Sequence, residues 1–530
     1  MIYLLPQLIE AAAERDPDHR AVVCRDQSLT YQELFTRSTS LAATLVELGV
    51  KRGDRVGIYL NKTVEAVVAV HGIMMAGAAY VPLDPKSPTA RLGYVIEDCG
   101  IEHIITDERK RRQITQLMAA GTRIKTLIGV SDSELGARGL SWSDLIESAT
   151  PPSIGLTEQD LCYILYTSGS TGVPKGIMHT HRSALSWANV TAMVYDITHE
   201  DVISNYAPLH FDLSTLDLFG GARGGATMVM IPEEHMALPS SLASLLESER
   251  LTLFYTVPMA LIQLSAPGVL DGRDLSSLTR VLFGGEPMPI KHLRRLMELL
   301  PGARFFNVYG PTEVNGVTHF EVTGLPDEDR ESLPIGVPYP NVEPRIVDSE
   351  GQHVEEGAIG ELAIKSPTMM RGYWGRPDLN ERAFVYEDRF GGIPDVFHMT
   401  GDLVRLGTDG QLHFHGRKDR QVKARGYRVE LDEVEAVLVG HPDVLEAAVF
   451  GVSGDDGGVA IHAAAIPREV GAVDDADLKM FLASALPPYA LPESLSLRDG
   501  FPRTTSGKID RRRLASEMFD TVSGGIGAGA

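Results

Sequence analysis

An apolar run, Leu-Cys-Tyr-Ile-Leu-Tyr over residues 161–166, opens directly onto Thr-Ser-Gly-Ser-Thr-Gly-Val-Pro-Lys-Gly over residues 167–176. The run predicts a buried strand, and the polar segment at its end is built to wrap anionic oxygens. Glycines let the backbone turn and approach a ligand closely, successive N–H groups and hydroxyls donate, and a lysine completes the cradle. The loop is not a Walker A sequence: Pro174 precedes Lys175, and Gly176 stands where that pattern needs a serine or threonine opening a helix. A flexible Ser/Gly linker fits poorly, because apolar strand-like and helical runs flank the segment. The first expectation is therefore a phosphate-handling site at the end of a buried strand.

Around that loop, residues 29–231 alternate strand-like and helical patterns: strands at 55–60 and 79–83 with a helix at 63–75 between them, then a second cycle. That cycle has strands at 202–205, 227–231 and 252–257 and helices near 214–219 and 240–248. Such alternation predicts a parallel, layered α/β sheet. Residues 334–414 change to short apolar runs broken by Gly, Pro and Asp, which read as a β-rich subdomain. A charged stretch comes after Gly416, and then a compact region with helices near 431–439 and 475–485. The expected fold class is α/β. Residues 1–418 form a large N-terminal domain of two layered α/β subdomains plus a small β-rich subdomain. Residues 419–515 form a small α+β C-terminal domain, and 516–530 a flexible tail.

With 49 basic against 71 acidic residues the net charge is −22, which disfavours general nucleic-acid binding. Cys24, Cys99 and Cys162 lack metal-type spacing, and so few in 530 residues fit a reducing compartment. The N-terminus has no basic region ahead of its apolar residues, so no signal peptide is expected. The apolar stretch 67–83 contains His71, Gly72 and Gly77 and reads as a core helix followed by a strand, not a membrane span. A cytoplasmic enzyme is expected. His413 and His415 share a strand face but have no further His or Cys ligand close by, and read as ordinary strand histidines.

Taken in order, several segments carry a resemblance. They are Leu29-Thr30-Tyr31-Gln32-Glu33-Leu34, Ala76 through Asp84, the phosphate loop, Phe211-Asp212-Leu213-Ser214, Asn307 through Glu313, and Met370-Arg371-Gly372-Tyr373-Trp374. Thr400-Gly401-Asp402-Leu403, Gly416 through Gly426, Leu486-Pro487-Pro488-Tyr489 and Ser506 through Arg511 continue the series. Together they resemble the adenylate-forming superfamily of acyl-CoA synthetases, luciferases and adenylation domains of nonribosomal peptide synthetases. The resemblance implies that a carboxylate attacks the α-phosphate of ATP to give an acyl-adenylate and pyrophosphate, and that a thiol then takes the acyl group.

It further implies that Thr167, Ser168, Gly169, Ser170, Thr171, Gly172 and Lys175 hold the leaving phosphates, where positioning and charge neutralisation are most of the catalysis. Glu313 would ligate Mg²⁺, with Thr312 at the α-phosphate. Gly284, Tyr309, Asp402 and Arg417 complete the ATP site. Read on its residues alone, Tyr309 is as much a core tyrosine as an aromatic face for adenine, and Asp402 and Arg417 as much turn or ion-pair residues as ribose ligands. Lys508 matches the catalytic lysine acting on charge developing at the adenylate. Asp419 matches the hinge about which a mobile C-terminal domain turns.

In the resembling family an aspartate at the position of Asp212 binds the substrate α-ammonium. That favours an α-amino acid over a fatty or aryl acid, since a buried carboxylate needs a cationic partner. Leu213, Leu216, Thr256, Val281, Phe283, Val308, Gly316 and Val317 carry over as the remaining pocket positions, none acidic or basic. Residues 207–225 and 254–264 look similar to free-standing prolyl-AMP ligases, so L-proline is the expected substrate, with alanine, valine and pipecolate as the alternatives. The chain ends soon after Arg511 and is expected to be a stand-alone ligase whose acceptor is the phosphopantetheine thiol of a separate carrier protein. Two other classes remain open on sequence: a carboxylate–CoA ligase, and a non-catalytic nucleotide-binding regulator.

Overall fold

The computed structural model describes residues 1–131, 135–169, 173–326, 332–389, 391–424, 426–454, 458–469, 471–504 and 509–523, with side chains as far as residue 518. The chain divides into two compact units. Met1–Pro85, Leu92–Tyr166 and Lys175–Lys418 form the first; Lys86–Arg91, Thr167–Pro174 and Asp419–Ala530 form the second.

The first unit begins from strong local signals. Thr30 caps the helix Tyr31–Glu47: its hydroxyl accepts from the Glu33 amide, and the Glu33 carboxylate accepts from the Thr30 amide at 2.8 Å. In the helix Val64–Met75 every residue but Glu65 is buried, so it has no solvent face to make it amphipathic. The chain then turns at Gly77, φ +77°, into the strand Ala79–Pro82. This is the core helix and strand expected for the long apolar stretch, and among the described residues no helix is long and apolar enough to cross a membrane. A Cβ added at Gly72 would meet the Ser38 carbonyl oxygen at 2.9 Å and Leu41 Cδ2 at 2.7 Å, so glycine sets how closely these two helices pack.

Two sheets flank those helices. An eight-stranded sheet runs in the order Gly372–Tyr373, Lys175–Thr180, Leu161–Thr167, Ala79–Pro82, Arg55–Ile58, His103–Ile105, Thr126–Ile128, Arg138–Leu140. A nine-stranded sheet carries Arg304–Tyr309, Arg280–Gly284, Leu253–Thr256, Val202–Asn205 and Thr227–Met230 as neighbouring parallel strands. Their inward faces share one apolar core that includes Tyr80, Tyr163 and Leu165 from the first sheet and Tyr255, Leu282, Phe306 and Val308 from the second. A second core lies on the outer face of the nine-stranded sheet, under the helices Pro239–Ser248 and Ile290–Leu299. The β-rich part is a five-stranded antiparallel sheet centred on Pro394–Leu406.

The second unit has its own cores, built on the hairpin Gln421–Ala424 with Tyr427–Glu430, the sheet Val444–Ser453, Val459–Pro467 and Ser494–Leu497, and the helices Leu431–Val439 and Asp475–Ala485. The layered α/β class expected from the sequence is the one observed. One element differs. Where an ordinary helix was expected near residues 214–219, Leu216–Gly220 form a π-helical turn followed by a single α-turn, Gly221–Gly224. A Cβ at Gly221 would meet Ile203 Cδ1 at 2.3 Å, so this turn lies against the sheet more closely than a residue with a side chain permits.

Candidate active site

The strand Leu161–Thr167 runs into the segment expected to hold phosphates. Ser170, Thr171 and Gly172 lie outside the described residues. Of the rest, Gly169 is forced: a Cβ there would meet the Val173 carbonyl oxygen at 2.0 Å. The Thr167 hydroxyl is buried with no hydrogen-bond partner among the described residues. The Ser168 hydroxyl donates to the Arg428 carbonyl at 3.0 Å and accepts from the Glu430 amide at 3.2 Å, all three residues belonging to the second unit.

Lys175 opens the next strand and belongs to the first unit. Its Nζ stands 3.4 Å from Glu313 Oε1, and the Tyr373 hydroxyl donates to the same oxygen at 2.8 Å. Glu313 is only 2% exposed. It follows a tight turn in which a Cβ at Gly310 would meet the Asn315 carbonyl oxygen at 2.1 Å and Asn315 takes φ +63°. Thr312, next to it, is held through its carbonyl, which accepts from His179 Nε2–H at 2.9 Å. That bond fixes the tautomer and leaves Nδ1 an acceptor, 3.3 Å from Asn315 Nδ2 and 3.1 Å from Ser183 Oγ. Burial pushes the His179 imidazole down to about 4, keeping it neutral.

Tyr309, Asp402 and Arg417 come together. The Tyr309 hydroxyl donates to Asp402 Oδ2, and Arg417 Nη1 donates to Asp402 Oδ1. Strand pairing sets Asp402 opposite Arg417. Burial, and then the Asp402 charge, push the Tyr309 phenol well above its ordinary range, so it stays a donor. Tyr309 is thus both a core residue, packed with Val314 and Val317, and a ligand of the carboxylate.

Asp212 is half-buried; its Oδ1 accepts from the Leu213 amide at 3.0 Å. Its charge helps raise the Tyr255 phenol, after the larger effect of burial. Leu213, Leu216 and Val308 pack in the core shared by the two sheets, with Tyr255 and Leu282. Gly316 is required by Trp187, whose ring a Cβ would meet at 2.1 Å, and Val317 lies in the adjoining cluster beside Tyr309. Gly284 is likewise forced, 2.3 Å from the Val308 carbonyl oxygen if given a Cβ, and the Thr256 hydroxyl is buried without a partner among the described residues.

Val281 and Phe283 are buried on the strand Arg280–Gly284. They pack in the outer core, on the opposite face of the nine-stranded sheet, while Leu282 between them faces the Asp212 side. Side chains alternate along a strand, so these three residues divide between its two faces. His179, Tyr373, Tyr255 and Leu282 are neighbours of the site that sequence reasoning did not single out. Lys508 lies outside the described residues, and Asp419 begins the last segment of the second unit.

Residues 9–374 match the family described as AMP-binding enzyme, and residues 433–508 match the AMP-binding enzyme C-terminal domain. An L-proline–(L-prolyl-carrier protein) ligase from Pseudomonas fluorescens is 32% identical over 516 residues, covering 97% of this chain and 99% of that protein. A protein of the same name from Streptomyces coelicolor is 34% identical over 528 residues, 96% of each chain. Among solved structures, the amide bond synthetase McbA from Marinactinospora thermotolerans shares the fold, with a TM-score of 0.85 at 24% identity over 97% of this chain and 99% of that one. The chain belongs to the AMP-binding enzyme family and is an adenylating acid–thiol ligase.

Proposed function

We propose that this chain activates a small neutral α-amino acid, L-proline first among them, as its adenylate and then passes it to the phosphopantetheine thiol of a separate carrier protein. The observation that carries this reading is Asp212, a carboxylate at the edge of an apolar core that contributes Leu216, Leu282 and Val308. A carboxylate so placed suits an ammonium, and the leucines and valine suit a small apolar ring. The relatives from Pseudomonas fluorescens and Streptomyces coelicolor are named for L-proline and a carrier protein.

In the first half-reaction a substrate carboxylate oxygen attacks the α-phosphorus of ATP, the bond to the bridging oxygen breaks, and pyrophosphate leaves. Thr167, Ser168, Gly169 and Lys175, with Ser170, Thr171 and Gly172, hold the leaving phosphates; Thr312 lies at the α-phosphate and Lys508 neutralises charge developing there. Asp402 and Arg417 take the ribose, and Gly284 and Tyr309 border the base. Glu313 fits Mg²⁺: it is a hard oxygen donor in fixed orientation, and Mg²⁺ commonly takes one or two carboxylates plus phosphates and water. When bound, the metal would offset phosphate charge. In the second half-reaction the thiol attacks the acyl carbon and AMP leaves, after the segment beyond Asp419 has turned to admit the carrier arm. Three buried free cysteines suit a reducing cytoplasm.

Substrate-dependent ATP–pyrophosphate exchange over the twenty amino acids, pipecolate, and a panel of fatty and aryl acids tests the reading. Exchange is expected with proline above the other small neutral amino acids. Exchange confined to the acids lacking an amino group would replace it with the carboxylate–CoA ligase reading.

A further inference from the structure

The Glu313 carboxylate already has a cation. Lys175 Nζ lies 3.4 Å from Oε1, with both side chains largely withdrawn from water, 12% and 3% exposed. The same ammonium stands 3.4 Å from the Tyr373 hydroxyl and 4.7 Å from the centre of the Tyr373 ring. The Tyr373 hydroxyl completes the triangle, donating to Glu313 Oε1 at 2.8 Å. A carboxylate this buried is costly unless a positive charge and hydrogen bonds compensate it, and here both converge on one oxygen.

Lys175 and Tyr373 differ in how firmly they are held. Tyr373 is fixed from several sides: its strand pairs with Ile177, its amide donates to Asn380 Oδ1 at 2.7 Å, and the amide of the next residue, Trp374, donates to the Gly176 carbonyl at 2.8 Å. Lys175 reaches Glu313 on a four-carbon stem, and 3.4 Å is longer than the roughly 2.7–2.9 Å of a tight charge-assisted contact. The ammonium is also the last cation of the anion loop, one residue past Pro174.

We propose that Lys175 is a placeholder cation: it neutralises Glu313 while no divalent metal is bound and exchanges with the metal when nucleotide arrives, its ammonium turning to the phosphates, while Tyr373 holds Glu313 in one orientation throughout. This rests on the reading of Glu313 as the metal carboxylate. Metal and nucleotide then bind synergistically, because the phosphates draw away the lysine that competes for Glu313.

The test is Mn²⁺ binding to the whole protein, read by the electron paramagnetic resonance signal of the free ion, with and without a non-hydrolysable ATP analogue. In Lys175→Met, Mn²⁺ is expected to bind the nucleotide-free protein about five- to tenfold more tightly than in wild type, and the gain on adding the analogue to shrink by a similar factor. Lys175→Gln, which keeps a polar end, should behave alike and covers the case in which the methionine variant does not fold. Mn²⁺ affinity unchanged or weaker in the folded lysine variants, with Glu313→Gln abolishing binding, would overturn the placeholder role alone. Binding indifferent to Glu313→Gln would instead overturn the reading of Glu313 as the metal carboxylate.

Discussion

Asp402 shows how a residue with an ambiguous sequence becomes specific in three dimensions. A lone aspartate in Thr-Gly-Asp-Leu reads as a turn residue as readily as a ligand. Its neighbours Tyr309 and Arg417 lie 93 and 15 residues away and meet it only when the β-rich sheet folds against the strand Arg304–Tyr309. Tyr309→Phe deletes one donor to a charged acceptor while keeping the ring in its cluster. A hydrogen bond to a charged group contributes about 1.5–3 kcal/mol, so the KM for ATP should rise about tenfold or more, with the amino-acid KM unchanged. A parallel rise in both KM values would make Tyr309 a packing residue only. His179 was invisible in the sequence for a related reason: a lone histidine carries no signal, and its role in holding the Thr312 carbonyl depends on a contact 133 residues away.

At the scale of elements, the strand Leu161–Thr167, the loop after it and the helix Val64–Met75 were legible because composition and breakers agree. The phase of Arg280–Gly284 was not. All five of its residues are buried, so the strand has no polar face and no alternation by which sequence distinguishes one side from the other. The structure separates the faces, and substitutions should too. Leu282→Phe, on the Asp212 side, is expected to lower exchange with proline relative to smaller amino acids by filling the apolar space. Phe283→Ala, in the outer core, should lower stability by about 3–5 kcal/mol while leaving the order of preferred amino acids unchanged. A changed order with Phe283→Ala and none with Leu282→Phe would reverse the assignment of faces.

Across the whole molecule, burial of histidines couples stability to pH. Desolvation lowers His71 to about 3 and His179 and His181 to about 4, from an ordinary 6.5. Each is neutral when folded but takes a proton when unfolded below about 6.5. Its contribution is therefore complete above that pH and is lost as pH falls toward the folded value, by up to about 1.4 kcal/mol per pH unit per group. Tm should fall progressively between pH 6.5 and 4, and His71→Gln should reduce the slope. A flat profile over that interval would contradict the neutral burial of these rings.

The two half-reactions should also separate at this scale. Gly426 takes φ +83°, and Asp419 starts the last segment of the second unit. Asp419→Pro and Gly426→Trp are expected to keep pyrophosphate exchange within roughly tenfold while carrier loading falls much further. A parallel fall in both, with the protein folded, would remove the hinge from the mechanism.

The central claim is that Asp212 reads the substrate's ammonium, and the most direct measurement compares L-proline with tetrahydrofuran-2-carboxylate, a five-membered ring of the same size with oxygen in place of the charged nitrogen. Exchange kinetics are taken for both in wild type and in Asp212→Ala. Wild type should strongly prefer proline, and Asp212→Ala should erase that preference by raising the proline KM about a hundredfold or more, with the ATP KM nearly unchanged, since breaking a buried ion pair costs about 3–5 kcal/mol. A proline KM that stays the same in Asp212→Ala, or a wild-type enzyme that accepts both acids equally, would contradict it.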